Sequence, residues 1–179
     1  MGEGLLMVMK AAGTVLVLAA GTGAGWVVAQ GYARRPVELR ALRQALATLR
    51  AEILYRSSSL TEAWAEVARR SPAPVTALFQ EASERLGTDR AGTAMVAWEA
   101  GLKRLAEESS LFPEDLEILR HLGQALGASG REEQERVLAL ADQELASAEE
   151  IARAEREKNA RLWQYLGFAL GAAVVLLLV

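Results

Sequence analysis

The sequence predicts an all-α protein, a helical bundle held between an N-terminal and a C-terminal transmembrane helix, with the last helix long and continuous into the membrane. Three observations predict it. Both ends of the 179-residue chain are apolar and nearly free of charge. The middle is densely charged with both signs. Along that middle, apolar residues recur every three or four positions, and no alternating run is long enough to argue for a strand.

The charge distribution divides the chain into residues 11–33, 34–161 and 162–179. Of 20 Lys and Arg residues only Lys10 precedes residue 34, of 23 Asp and Glu residues only Glu3 does, and none of either sign follows Arg161. The middle segment therefore holds 19 cations and 22 anions, a net charge of −3. It is long enough for one domain with its own core. Mixed charge gives no basic surface for nucleic acid. With no Cys in the chain, disulfides, thiolate metal sites and Cys nucleophiles are excluded.

Ala11 to Ala33 is uncharged and rich in Gly and Ala, and at 1.5 Å per residue it can cross a hydrocarbon core of roughly 30 Å. A cleaved signal peptide with Lys10 as its basic region is the competing reading. The length of the run, and Arg34-Arg35 directly after it, favour a retained anchor. Leu162 to Val179 is the second uncharged run, with Trp163 and Tyr165 near its polar end, where amphipathic rings favour an interface. Arg34, Arg35, Arg40 and Arg43 follow the first run, and Arg153, Arg156, Lys158 and Arg161 precede the second. This bias places the middle domain in the cytoplasm. Gly21/Gly25 and Gly167/Gly171 each form a Gly-x-x-x-Gly pair, the small stripe that lets membrane helices pack closely within one chain or between copies.

Within the middle, Leu39, Leu42, Leu46, Leu49 and Ile53 make one apolar stripe, with Pro36 suited to the first turn of that helix. Ser59 and Glu62 read as a capping box for a second helix with Leu60, Trp64 and Val67 inward. Ser71-Pro72-Ala73-Pro74 stops it. A third helix carries Val75, Leu78, Phe79, Ala82 and Leu86, with Gly87 as a left-handed cap. A fourth spans about 91–105, with Met95, Trp98, Leu102 and Leu105 on one side. Leu111-Phe112-Pro113 opens a fifth with Leu116, Leu119, Leu122 and Leu126, ending near Gly127. Ser129 and Glu132 form another capping box, and no Pro or Gly follows Gly130 until Gly167. One rod is expected from there into the C-terminal run, its stripe being Val137, Ala141, Leu145, Ala148 and Ala152.

Nothing in the pattern supplies catalysis. His121 is the sole histidine, and neighbouring carboxylates such as Glu149-Glu150 diverge by about 100° on a helix. No phosphate-binding loop, zinc-binding helix motif or nucleophile elbow is present. The expectation is a non-enzymatic protein without cofactor or metal. The uncharged spans argue against an ion path, although Thr14, Thr22 and Gln30 leave a pore-lining channel subunit as an alternative. For partner docking, the exposed sides of the first and last helices point to Arg40, Arg43, Arg50 and Glu52, and to Glu149, Glu150 and Arg153.

The order of features resembles the stage III sporulation protein AB family of endospore-forming bacteria. The resemblance rests on two blocks. The first holds Arg35, Pro36, Glu38, Leu39, Leu42, Glu52, Ile53 and Tyr55; the second holds Leu122, Gly123, Leu126 and Gly127 and runs to Ser129. It extends from about Lys10 to Val179. Gly130 departs from it, an Asp being expected there. The resemblance implies a membrane component of the complex linking mother cell and forespore, similar to a reduced inner-membrane platform of type II secretion machines. It also implies partners: a secretion-type ATPase resembling stage III sporulation protein AA, and other membrane subunits of the complex.

Overall fold

The computed structural model describes residues 30–178 except 57, 89–91 and 127–129, and the side chains of residue 131 and of residues 160–178 lie outside the description. Among the described residues there are six helices and no strand: α1 (30–54), α2 (Leu60–Arg70), α3 (Val75–Gly87), α4 (Ala94–Glu108), α5 (Pro113–Ala125) and α6 (Arg131–Leu178). Residues Arg34–Ala152 form one compact unit, and the described residues 30–33 and 153–178 fall in a second.

In α1 the 3-4 repeat is realised: Leu39, Leu42, Leu46, Leu49 and Ile53 are all buried. Pro36 is not in the first turn as expected. The helix is already formed at residue 30, so the ring lies inside it and removes one i to i−4 hydrogen bond. Its buried position shows that packing outweighs that loss.

The expected start of α2 holds. The Ser59 hydroxyl accepts from the Glu62 N–H at 3.4 Å, and the Glu62 carboxylate accepts from the Ser59 N–H at 3.0 Å. Trp64 and Val67 are buried, with Ala63 beside them. The cap assigned to Gly87 does not form. Gly87 is the last residue of α3, and Thr88 after it has φ −97°, outside the left-handed region. The glycine instead lets α2 come close, since a Cβ there would sit 3.3 Å from Thr61 Cγ2.

Helix α4 starts at Ala94 rather than near residue 91. Gly92 takes φ 68°, which does not continue a helix, and the Thr93 hydroxyl then caps the Val96 N–H at 3.3 Å. Trp98, Leu102 and Leu105 are buried as expected. Met95 is exposed, because Ala97 and Gly101 hold the inner face instead. That inner face lies very close to α3: a Cβ on Gly101 would stand 2.4 Å from the Leu78 carbonyl oxygen.

The core centres on three rings. Trp98 lies 5.5 Å from Trp64 and 5.6 Å, edge-on, from Phe79. Its indole N–H donates to the Leu119 carbonyl at 2.8 Å, tying α4 to α5.

Helix α6 is a single helix of 48 residues, as the lack of breakers predicts. Its buried stripe is Leu138, Ala141, Leu145, Glu149 and Ala152, while Val137 and Ala148 are only partly buried. The Ser129 cap lies outside the described residues. Most of the expected first span, with Gly21 and Gly25, lies outside them too. Gly167 and Gly171 fall on the α6 backbone, but the side chains around them are outside the description. Among the described residues, no helix is long and apolar enough to cross a membrane.

Candidate functional site

Two polar constellations stand out in the compact unit, and the first joins α1 to α6. Arg43 and Arg50 lie seven residues apart on α1; Glu135, Asp142 and Glu149 lie seven apart on α6. Seven residues are close to two helical turns, so each set lies along one face. Arg43 Nε bonds Asp142 Oδ1 at 2.9 Å, and its Nη1 bonds Glu149 Oε2 at 3.1 Å. Arg40 Nε reaches the other oxygen of Glu149 at 2.9 Å, and Arg50 pairs with Glu135. The bond to Asp142, then that to Glu149, hold the Arg43 guanidinium protonated beyond its ordinary range.

This geometry changes the reading of the docking residues. Glu149 was expected on an exposed side; it is 2% exposed, set in the apolar stripe between Leu145 and Ala152. A carboxylate there is tolerable because two guanidiniums satisfy it. Glu52 is also buried rather than exposed, accepting from Arg56 and from the Ser58 hydroxyl, each at 3.2 Å. Arg40, Arg43 and Arg50 are engaged with α6. Glu150 and Arg153 are exposed, with the largely exposed Ile151 between them.

The second constellation joins the start of α1 to the start of α5. Arg35, read from the sequence as a membrane-flanking charge, is buried and grips Asp115 with two bonds: Nε to Oδ2 at 2.8 Å and Nη2 to Oδ1 at 2.9 Å. Asp115 is itself 1% exposed and also accepts the Phe112 N–H at 2.8 Å, which caps α5. The Arg35 guanidinium lies 3.9 Å from the centre of the Phe112 ring. One turn along α1, Glu38 accepts the Ser110 N–H at 2.8 Å. Burial raises the Glu38 pKa, against the Ser110 bond and the charge of Arg34, which lower it. Sequence reasoning missed this junction. Its signal was Asp115, an acid three residues after Phe112 and two after Pro113, the pattern of a helix start.

The remaining motif residues mostly have structural duties. Leu122 and Leu126 are buried, and Gly123 is in contact with Trp98: a Cβ would stand 2.1 Å from Trp98 Cδ1. Tyr55 is 84% exposed at the end of α1. Gly127 lies outside the described residues. His121 is exposed, and among the described residues no group of three or more His, Asp or Glu could hold a metal ion.

Comparison with known proteins assigns these features to a family. The family model described as stage III sporulation protein AB matches residues 10–179. The chain belongs to the stage III sporulation protein AB family. The stage III sporulation protein AB of Bacillus subtilis (strain 168) is 36% identical over 172 residues, covering 95% of this chain and 99% of that protein. A solved structure of stage III sporulation protein AB superposes with a TM-score of 0.65 at 33% identity, covering 70% of this chain and 98% of that one. The family is thus one of sporulation proteins with an all-helical fold, and its description names no enzymatic activity. The resemblance carried by the Arg35–Tyr55 and Leu122–Ser129 blocks agrees with this assignment.

Proposed function

We propose that this family member is a non-enzymatic platform subunit of the complex linking mother cell and forespore, anchored by residues 11–33 and 162–179. The middle domain lies in the mother-cell cytoplasm and docks a secretion-type ATPase; other membrane subunits of the complex, or further copies of the chain, pack against the spans. The single observation that carries the reading is α6, one helix without a break from Arg131 to Leu178. It joins the charged bundle segment to the apolar C-terminal run. A continuous helix resists bending, so force applied to its first half reaches its second half. The charge bias of the flanks and membership of the sporulation family support the same reading.

The test is a pull-down of the ATPase resembling stage III sporulation protein AA by the full chain in detergent. Glu150→Arg and Arg153→Glu variants probe the exposed α6 patch. Capture by the parent chain, weakened by the reversals, is expected. If the parent chain captures nothing at low or physiological salt, the platform reading loses its mechanism. Bulky substitution at Gly21 and Gly25 with conductance as the readout then becomes the decisive experiment.

A further inference from the structure

The contact between α1 and α6 is built differently from the rest of the bundle. Helices α2 to α5 are joined by large apolar groups, among them Trp64, Phe79, Trp98, Leu105, Leu119 and Leu122, all fully buried. The part of α6 inside the same unit, residues 131–152, buries two leucines, Leu138 and Leu145, and two alanines, Ala141 and Ala152, with Val137 and Ala148 partly covered. Apolar stabilisation scales with area removed from water, and an alanine contributes far less of it than a leucine or a ring. Ion pairs add to this contact: Arg40 and Arg43 on Glu149, Arg43 on Asp142, and Arg50 on Glu135. The Arg50–Glu135 and Arg43–Asp142 pairs are open to water on both sides, and Arg40 is exposed where it reaches Glu149. Such pairs are screened by salt, whereas the ring cluster is not.

We propose that residues 131–152 of α6 form a strap that opens from α1 as a unit while α2 to α5 stay folded, its closure set by the acid ladder Glu135–Asp142–Glu149. Local opening favours elements with few buried apolar contacts, and the 131–152 stretch of α6 buries only two large apolar side chains, Leu138 and Leu145, over about six turns of helix. Closed, the strap occupies the guanidiniums of Arg40, Arg43 and Arg50; open, it frees all three at once. The opening does not depend on the proposed function. On the docking reading, the strap governs access of an acidic partner surface to that row.

Hydrogen exchange followed by mass spectrometry, on the full chain in detergent, tests this. Raising NaCl from roughly 0.05 M to roughly 0.5 M shortens the screening length about threefold. Amides of 138–152 are expected to exchange roughly tenfold or more faster than those of 78–82 and 97–102, and to accelerate further with salt. Glu149→Gln raises the α6 rate and leaves α3 and α4 protected. Arg50→Gln, at an exposed pair that leaves the core intact, shifts α6 in the same direction by less. The strap is refuted if 138–152 exchanges with α3 and α4 and ignores salt, or if Glu149→Gln and Arg50→Gln release all helices together.

Discussion

At the scale of single residues, two positions turn geometry into a measurable outcome. Gly123 has no room for a methyl group, because its Cβ would fall 2.1 Å from Trp98 Cδ1 and 2.6 Å from Nε1. The indole cannot simply move, since it donates to Leu119 and packs on Trp64 and Phe79. Gly123→Ala is therefore expected to destabilise by about 1–3 kcal/mol through overpacking, read as a lower Tm. Gly130→Ala, where nothing lies within 4 Å, is the matched control and should leave Tm almost unchanged. Glu38 supplies a pH effect. Burial raises its folded pKa above the ordinary 4.5, so ionisation opposes folding. Below the ordinary value both folded and unfolded chains carry the proton and the opposition is absent; it grows as pH rises through the raised folded value and is complete above it. Glu38→Gln keeps an acceptor for the Ser110 N–H and removes the ionisation. The variant's gain in Tm over the parent should be largest near neutral pH and vanish near pH 4. A variant less stable at neutral pH would mean that the Ser110 hydrogen bond to the carboxylate, together with the charge of Arg34, outweighs desolvation.

Between elements, the Arg35–Asp115 pair bolts α1 to the start of α5 across 80 residues of sequence. Removing one member of a buried pair leaves an uncompensated charge. Arg35→Met should therefore destabilise by about 3–5 kcal/mol. Asp115→Asn in the same chain keeps an oxygen for the Phe112 N–H while removing the stranded charge, so the double variant should recover much of that loss. Additive losses in chemical denaturation would show that the two residues act independently. This junction also marks how far the sequence could be read. The stripe Leu39 to Ile53 and the Ser59–Glu62 box were legible because period and capping are local. The burial of Arg35 and Glu149 was not, because a charge enters a core only where a distant partner meets it, and the partners of Glu149 lie 106 and 109 residues away. Gly87 failed for a related reason. A glycine after an apolar run signals a left-handed cap, yet here its value is the close approach of Thr61, a tertiary contact that local pattern does not record.

For the whole molecule, the division of labour along the chain makes its own prediction. The hydrophobic cluster extends from Leu39 to Ala152, inside the compact unit Arg34–Ala152, and the three rings at its centre come from α2, α3 and α4. The described junctions that fix α1, Arg35 with Asp115 and Arg43 with Asp142, also close within that unit. A chain of this size carries enough core to fold by itself. A fragment of residues 34–159 should therefore be helical and melt cooperatively without detergent. It should lose its cooperative transition on Trp98→Ala, which removes the ring shared by Trp64 and Phe79 and the bond to Leu119. A fragment that binds a hydrophobic dye and melts without a transition would place the missing stability in the apolar ends, and the bundle would then be a dependent part of the membrane assembly, unable to fold as an autonomous docking module.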